Sequence, residues 1–229
     1  MTAPRAADDD APHGRAERPL VVLLHGLARR EGSLAGMAAA LRRAGFETWS
    51  QTYPSRRQTI GDAARSLTEA IVAVAGARPL LAVTHSLGGI VWRHMHDPRL
   101  RWRRAVMLAP PNAGSELARA LSSRALFRWF YGPAGAELGA AEAWPPPPAD
   151  ALIIAGRRGR ALTNPTSWTV ARRFGAQVAH DGTVAVDETR LPGLPPPVVV
   201  DATHTWIMND AEVQAMTAAF LGRGDRPPG

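Results

Sequence analysis

Residues 80–94 read LLAVTHSLGGIVWRH, and the fold is decided by how this stretch is divided. Leu80 to Thr84 predicts a strand, which runs through His85-Ser86-Leu87-Gly88-Gly89 into a helix predicted over Ile90 to His96. A serine on so sharp a turn has strained backbone angles. Small neighbours are needed because the helix passes close to the strand. The turn lifts the Ser86 hydroxyl to the carboxyl end of the strand, where open parallel sheets bind ligands. It also aims the helix N-terminus and the Leu87 amide at any negative oxygen forming beside Ser86. The alternative is a tight turn whose serine is merely structural, and the first position, Thr84, departs from the glycine of a G-x-S-x-G match.

Upstream, Leu20 to Leu24 is a continuous apolar, β-branched-rich run, as in a strand buried on both faces of a parallel sheet. Ser33 is placed to cap a helix running to about Ala44, which Gly45 stops. Phe46 to Thr52 predicts a further strand, ended by Pro54. From Thr59, the positions Ile60, Ala63, Ala64, Leu67, Ala70, Ile71 and Val74 keep helical spacing and predict one buried stripe. Downstream, strands are predicted at Ala105 to Ala109, Leu152 to Ala155 and Val198 to Asp201. A closing helix follows over Asp210 to Leu221, with Ala211, Met216, Ala219 and Phe220 turned inward. A Pro-rich linker at Trp144 to Pro148 and an irregular stretch from Gly156 to Gln177 lie between. Strands alternating with helices call for a mostly parallel central sheet with helices on both faces.

The chain has 229 residues, enough for one such domain and too few for a second of comparable size. The expected organisation is a loose arm at 1–18, a domain at 19–222 with a short cap-like insertion at 115–150, and a tail at 223–229. There is no cysteine, which excludes disulfides, thiolate catalysis and Cys-ligated metals. No secretory signal and no run of about 18 apolar residues is visible, so a cytoplasmic protein is expected.

The net charge of +7 raises the question of nucleic acid or anionic surfaces. Every basic residue is arginine, in pairs spread along the chain: Arg29 and Arg30, Arg42 and Arg43, Arg56 and Arg57, Arg157 and Arg158, Arg172 and Arg173. Spread in that way, among so much Ala, Pro and Gly, they read as solvated surface charge. No nucleic-acid partner is expected.

A hydroxyl nucleophile needs a base, and the base needs orientation. His204 follows the Val198 to Asp201 strand and precedes the last helix, where this topology returns to the top of the sheet. The other histidines fit less well. His94 and His96 are two apart on the predicted helix and face different directions; His85 points from the turn into its surroundings; His180 reads as a solvated loop residue; His13 lies in the arm.

Together, LLHGL (23–27), THSLGG (84–89), LAPPNAGSELA (108–118), GPAG (132–135), HDGTV (180–184) and THTWIM (203–208) resemble small bacterial lipase-like α/β-hydrolases related to the PGAP1-like esterases. The resemblance runs from about Pro19 to Leu221. It implies the α/β-hydrolase fold with a minimal cap, and ester cleavage by a Ser, Asp, His triad in that chain order, with no cofactor or metal. The acid falls on Asp181 of the Asp-Gly-x-Val segment, with Ser86 as nucleophile and His204 as base. The oxyanion donors fall on the backbone amides of Leu27 and Leu87, although Gly26 beside Leu27 also reads as a plain turn residue.

Asp181 is preferred to two other carboxylates. Gly182 permits a tight turn beside it, and Thr183 to Val186 then run on as extended chain, carrying Asp187 away. Asp201 lies only three residues before His204. The expected partner is a small ester or lipid substrate, with transient contact to a lipid surface. Leu126, Phe127, Trp129, Phe130 and Tyr131 form a dense apolar cluster that either lines an acyl pocket or lid, or simply packs a short helix. The competing readings are a catalytically silent hydrolase fold used for binding, and a basic protein that binds anionic surfaces.

Overall fold

A computed structural model describes residues 18–115, 132–139, 144–159 and 178–223. Six strands form one sheet: β1 (Leu20–Leu24), β2 (Glu47–Ser50), β3 (Pro79–His85), β4 (Arg101–Leu108), β5 (Asp150–Gly156) and β6 (Val198–Val200). Their order is β2-β1-β3-β4-β5-β6, and every pairing is parallel. The chain runs outward from β1 to the β2 edge, returns to β3, and then steps strand by strand the other way. The direction reverses between β1 and β3, so the crevice at their carboxyl ends is where a parallel sheet offers room for a ligand.

Alternation along the strands divides the core between two faces. Leu20, Val22, Leu24, Leu80, Ala82 and Met107 pack against α2 (Ile60–Ala75) and α3 (Leu87–Arg93). Val21, Leu23, Leu81, Val83, Val106 and Leu108 pack against α1 (Ala35–Arg43) and α4 (Ala211–Leu221). Each fully buried Leu or Val is worth about 1.5–3 kcal/mol, so these positions anchor the sheet to its two helix layers. Among the described residues, no helix is long and apolar enough to cross a membrane.

Side chains and a glycine bound the helices, and the stop expected at Gly45 is among them. The Thr59 hydroxyl accepts the Asp62 N–H at 3.0 Å and caps α2. Asp210 caps α4 by accepting the amides of Glu212 and Val213. Gly45, at φ 88°, ends α1 in the left-handed region, its N–H donating to the Arg42 carbonyl.

Other expectations need correction. Ser33 caps nothing: the chain first makes a 3-10 turn over Glu31–Leu34, and the Ser33 hydroxyl donates to the Arg30 carbonyl inside it. The helix after Ser86 begins at Leu87 and ends at Arg93, because Ser86 itself is the residue before the first turn. β4 begins at Arg101, four residues earlier than its apolar run. Val74 is exposed on α2, while Thr68 and Ala75 complete the buried stripe. On α4 the buried residues are Val213, Thr217, Phe220 and Leu221; Ala211 and Ala219 face out and Met216 is half-buried.

The Pro-rich linker is tied down. Arg93 donates to the carbonyls of Trp144 and Pro145 and lies 5.7 Å from the Trp144 ring centroid.

Candidate active site

Ser86 has φ 51° and ψ −121°, a conformation that costs a non-glycine residue about 1–3 kcal/mol. Its N–H donates to the Leu108 carbonyl at 2.9 Å, which ties the turn to the neighbouring strand β4. The two glycines behind it have a steric reason. A β-carbon at Gly88 would collide with the Leu24 carbonyl and stand 2.8 Å from that of His25; one at Gly89 would stand 2.8 Å from the Met107 methyl. At Gly88 the obstacle is backbone, so the helix can follow the strand this sharply only with hydrogen there; at Gly89 the Met107 side chain would have to shift.

His204 lies on the loop between β6 and α4, and Asp181 on the loop that enters β6. The structure brings them together: His204 Nδ1 donates to Asp181 Oδ2 at 2.7 Å. The other oxygen, Oδ1, accepts the amides of Thr183 and Val184 at 2.9 and 2.8 Å. The backbones are joined as well, His204 N–H donating to the Asp181 carbonyl at 2.9 Å. Asp181 and His204 are both buried. Because the carboxylate can only accept, the His204 proton is fixed on Nδ1 and Nε2 is left as a lone-pair acceptor.

Neither competing carboxylate reaches the imidazole. Asp187 is exposed and accepts from Arg190; Asp201 is exposed and accepts from Arg158 at 2.6 Å. The segment after Gly182 is not extended chain. It folds back so that His180 bridges Ala185, and a 3-10 turn opens at Asp187. His180 is buried, with Nδ1 accepting the Gly182 amide, so it is a turn-forming residue and not a solvated one.

Sequence reasoning missed His85. It is buried, its ring lies 4.8 Å from that of His204, and its Nε2 donates to the His204 carbonyl at 2.9 Å. Burial, reinforced by the neighbouring His204, holds its pKa well below the usual histidine value, so it stays neutral. It is a strut between the Ser86 turn and the His204 loop. Replacing it with leucine removes the donor while keeping the bulk, and misplacing a reacting group by about 1 Å can cost roughly 100-fold. His85→Leu is expected to lower kcat on that scale with little change in KM, whereas His85→Gln, which retains an N–H at similar reach, recovers most of the loss in steady-state kinetics.

The loop after β1 is held just as firmly. His25 Nδ1 donates to the Gly26 carbonyl at 2.8 Å, and Nε2 accepts the Tyr53 amide at 3.2 Å. The two rings stack at 4.1 Å, and the Tyr53 hydroxyl donates to the His25 carbonyl at 2.6 Å. Burial lowers the His25 pKa and raises that of Tyr53, keeping both neutral. Ala28, at φ 58°, donates its N–H to Ser55 Oγ at 3.0 Å. Leu27 is thus clamped between two anchored residues. A β-carbon added to Gly26 would lie 3.3 Å from Ser86 Cβ, so this loop lies directly against the Ser86 turn. Leu87, first residue of α3, has an amide with no acceptor inside its own helix.

His94 and His96 do not converge. His94 Nδ1 donates to the Ile90 carbonyl, and His96 Nε2 to that of Pro146. The cluster at Leu126, Phe127, Trp129, Phe130 and Tyr131 lies outside the described residues.

Neither a protein-family model nor a curated protein matches the sequence. Solved structures do match. Lipase BlEst2 of Bacillus licheniformis, in its mature form, superposes with a TM-score of 0.69 at 19% identity, covering 95% of this chain and 96% of that one. The metagenomic carboxyl esterase MGS0156 gives 0.66 at 20% identity over 95% of this chain and 80% of that one. RedJ, a thioesterase of the prodiginine pathway in Streptomyces coelicolor, gives 0.58 at 14% identity over 96% and 90%. The chain has the α/β-hydrolase fold. Within this fold, Ser86 and Leu27 leave adjacent strands, β3 and β1, on either side of the point where the strand order reverses.

Proposed function

We propose that the chain is a serine hydrolase of carboxylic esters that works through an acyl-enzyme on Ser86. The observation that carries this reading is the buried Asp181–His204 pair, oriented with its free imidazole nitrogen away from the carboxylate and braced by His85 against the Ser86 turn. A binding module has no use for such a pair. The esterase, lipase and thioesterase fold neighbours support the same reading.

In the first step, Ser86 Oγ attacks the ester carbonyl while His204 Nε2 takes its proton. The oxyanion is received by the amides of Leu27 and Leu87; losing one such donor typically costs about 3 kcal/mol. The imidazolium, stabilised by the Asp181 carboxylate, then gives its proton to the departing alkoxide as the carbon–oxygen bond breaks. In the second step water attacks the acyl-serine, its proton passing to His204 and on to Ser86 Oγ, which releases the carboxylic acid. No other group is needed to balance either step.

The purified protein is expected to hydrolyse short- to medium-chain p-nitrophenyl esters and to be labelled by a fluorophosphonate. Mass spectrometry of the labelled digest should place the adduct on the peptide containing Ser86. An adduct elsewhere, or esterase activity that survives complete labelling of Ser86, rules the reading out.

A further inference from the structure

The loops leaving β1 and β2 each carry an arginine pair, Arg29 with Arg30 and Arg56 with Arg57. Because β1 and β2 pair in parallel, both loops emerge on the same side of the sheet. Two bonds stitch them together: Ala28 N–H to Ser55 Oγ at 3.0 Å and Glu31 N–H to Thr52 Oγ1 at 3.1 Å. All four arginines therefore line one open pocket of about 430 Å³, and among the described residues no aspartate or glutamate lines it.

Arg65, Arg78, Arg99, Arg158 and Arg190 each pair with a carboxylate. Arg29, Arg30 and Arg57 make no ion pair with any described residue. Arg29 is half-buried, and burial lowers its pKa, the mark of a charge that has lost water without gaining a partner. Its field reaches the site: it contributes to the lowered pKa of both His25 and His85. Along the chain it is two residues from Leu27, a span of at most about 7 Å.

We infer that this pocket is a subsite for the phosphate group of an ester substrate, bound a few bonds from the carbonyl that Ser86 attacks. The inference rests on the proposed ester hydrolysis and adds the substrate's charge to it. Guanidinium groups match phosphate oxygens in a bidentate fork, and several converging cations favour a dianion over a single carboxylate.

The test compares three substrates: 1-butyrylglycerol, 1-butyrylglycerol 3-phosphate, and micellar 1-oleoylglycerol 3-phosphate. Wild type is expected to give the soluble phosphate ester a kcat/KM at least about tenfold above the neutral one, and the ratio should collapse toward one in Arg29→Gln/Arg57→Gln. Arg42→Gln/Arg43→Gln, a pair on α1 away from the pocket, should keep the wild-type ratio. Turnover of the micellar substrate above the soluble one assigns the phosphate to a lipid headgroup; the reverse assigns it to a soluble metabolite. A ratio near one in wild type, or one unchanged by the Arg29 and Arg57 substitutions, overturns the inference while leaving ester hydrolysis standing. Calorimetric titration of the Ser86→Ala protein with glycerol 3-phosphate reads the subsite without turnover. Binding that weakens at least about tenfold in the Arg29→Gln/Arg57→Gln background supports it even if the hydrolase reading fails, and equal affinity in both proteins overturns it.

Discussion

Asp181→Asn is expected to lower kcat by about 10⁴-fold without changing the melting temperature appreciably, while Asp187→Asn stays near wild type. The asparagine side chain still fits the buried site, but its amide can present an N–H where His204 Nδ1 needs an acceptor. To keep a hydrogen bond the imidazole must move its proton to Nε2, and Nε2 can then no longer take the proton of Ser86. The substitution also removes the negative charge that stabilises the imidazolium. Asp187, exposed and bonded to Arg190, has no path to the ring. Steady-state kinetics on both variants, with thermal melts as the folding control, decide the matter. The opposite pattern would transfer the acid role to Asp187.

The second large effect is at the nucleophile. Ser86→Ala is expected to lower kcat by about 10⁶-fold, to the residual rate supplied by binding and the amide donors alone. Substrate affinity should survive, because the oxyanion loop and the arginine pocket are built from other elements. The strain at φ 51° remains in the variant, so the melting temperature should move little. A residual rate above about 1% of wild type would mean that another group carries the chemistry.

Much of this arrangement was legible in the chain. Leu20 to Leu24 and Leu80 to Thr84 are apolar without interruption because both faces are covered, and no helical stripe imitates that pattern over so short a run. Thr59 and Asp210 cap their helices in the structure, although neither was singled out as a cap from the sequence. Ser33, expected as a cap, has the same chemistry but sits inside a 3-10 turn, a distinction its neighbours do not encode. The inward face of α4 was misread because AEVQAMTAAFL is apolar nearly all round, so its periodicity carries little phase.

The site was legible as motifs and not as contacts. Asp181 and His204 are 23 residues apart, and their 2.7 Å hydrogen bond exists only because β6 and the two loops flanking it place them there. His85 gave no signal, since a histidine beside a serine reads alike whether or not it braces another loop. The arginine pairs read as solvated charge because they are spread along the whole chain. That two of them converge follows from parallel pairing of β1 with β2, which no local pattern reveals.

If Leu27 supplies an oxyanion donor as proposed, its clamp ties transition-state stabilisation to the sheet margin. Tyr53, which stacks on His25 and holds its carbonyl, is reached three residues after β2, an edge strand paired only with β1 and nowhere fully buried. Margins of a sheet open more readily than its centre. When β2 frays, His25 loses its stacking partner and the Leu27 amide loses its fixed aim, while Ser86 and the Asp181–His204 pair, seated on β3 and around β6, keep theirs. Under the proposed mechanism the wiring sets an order of failure: the ability to cradle the developing charge goes first, and the machinery of attack outlasts it.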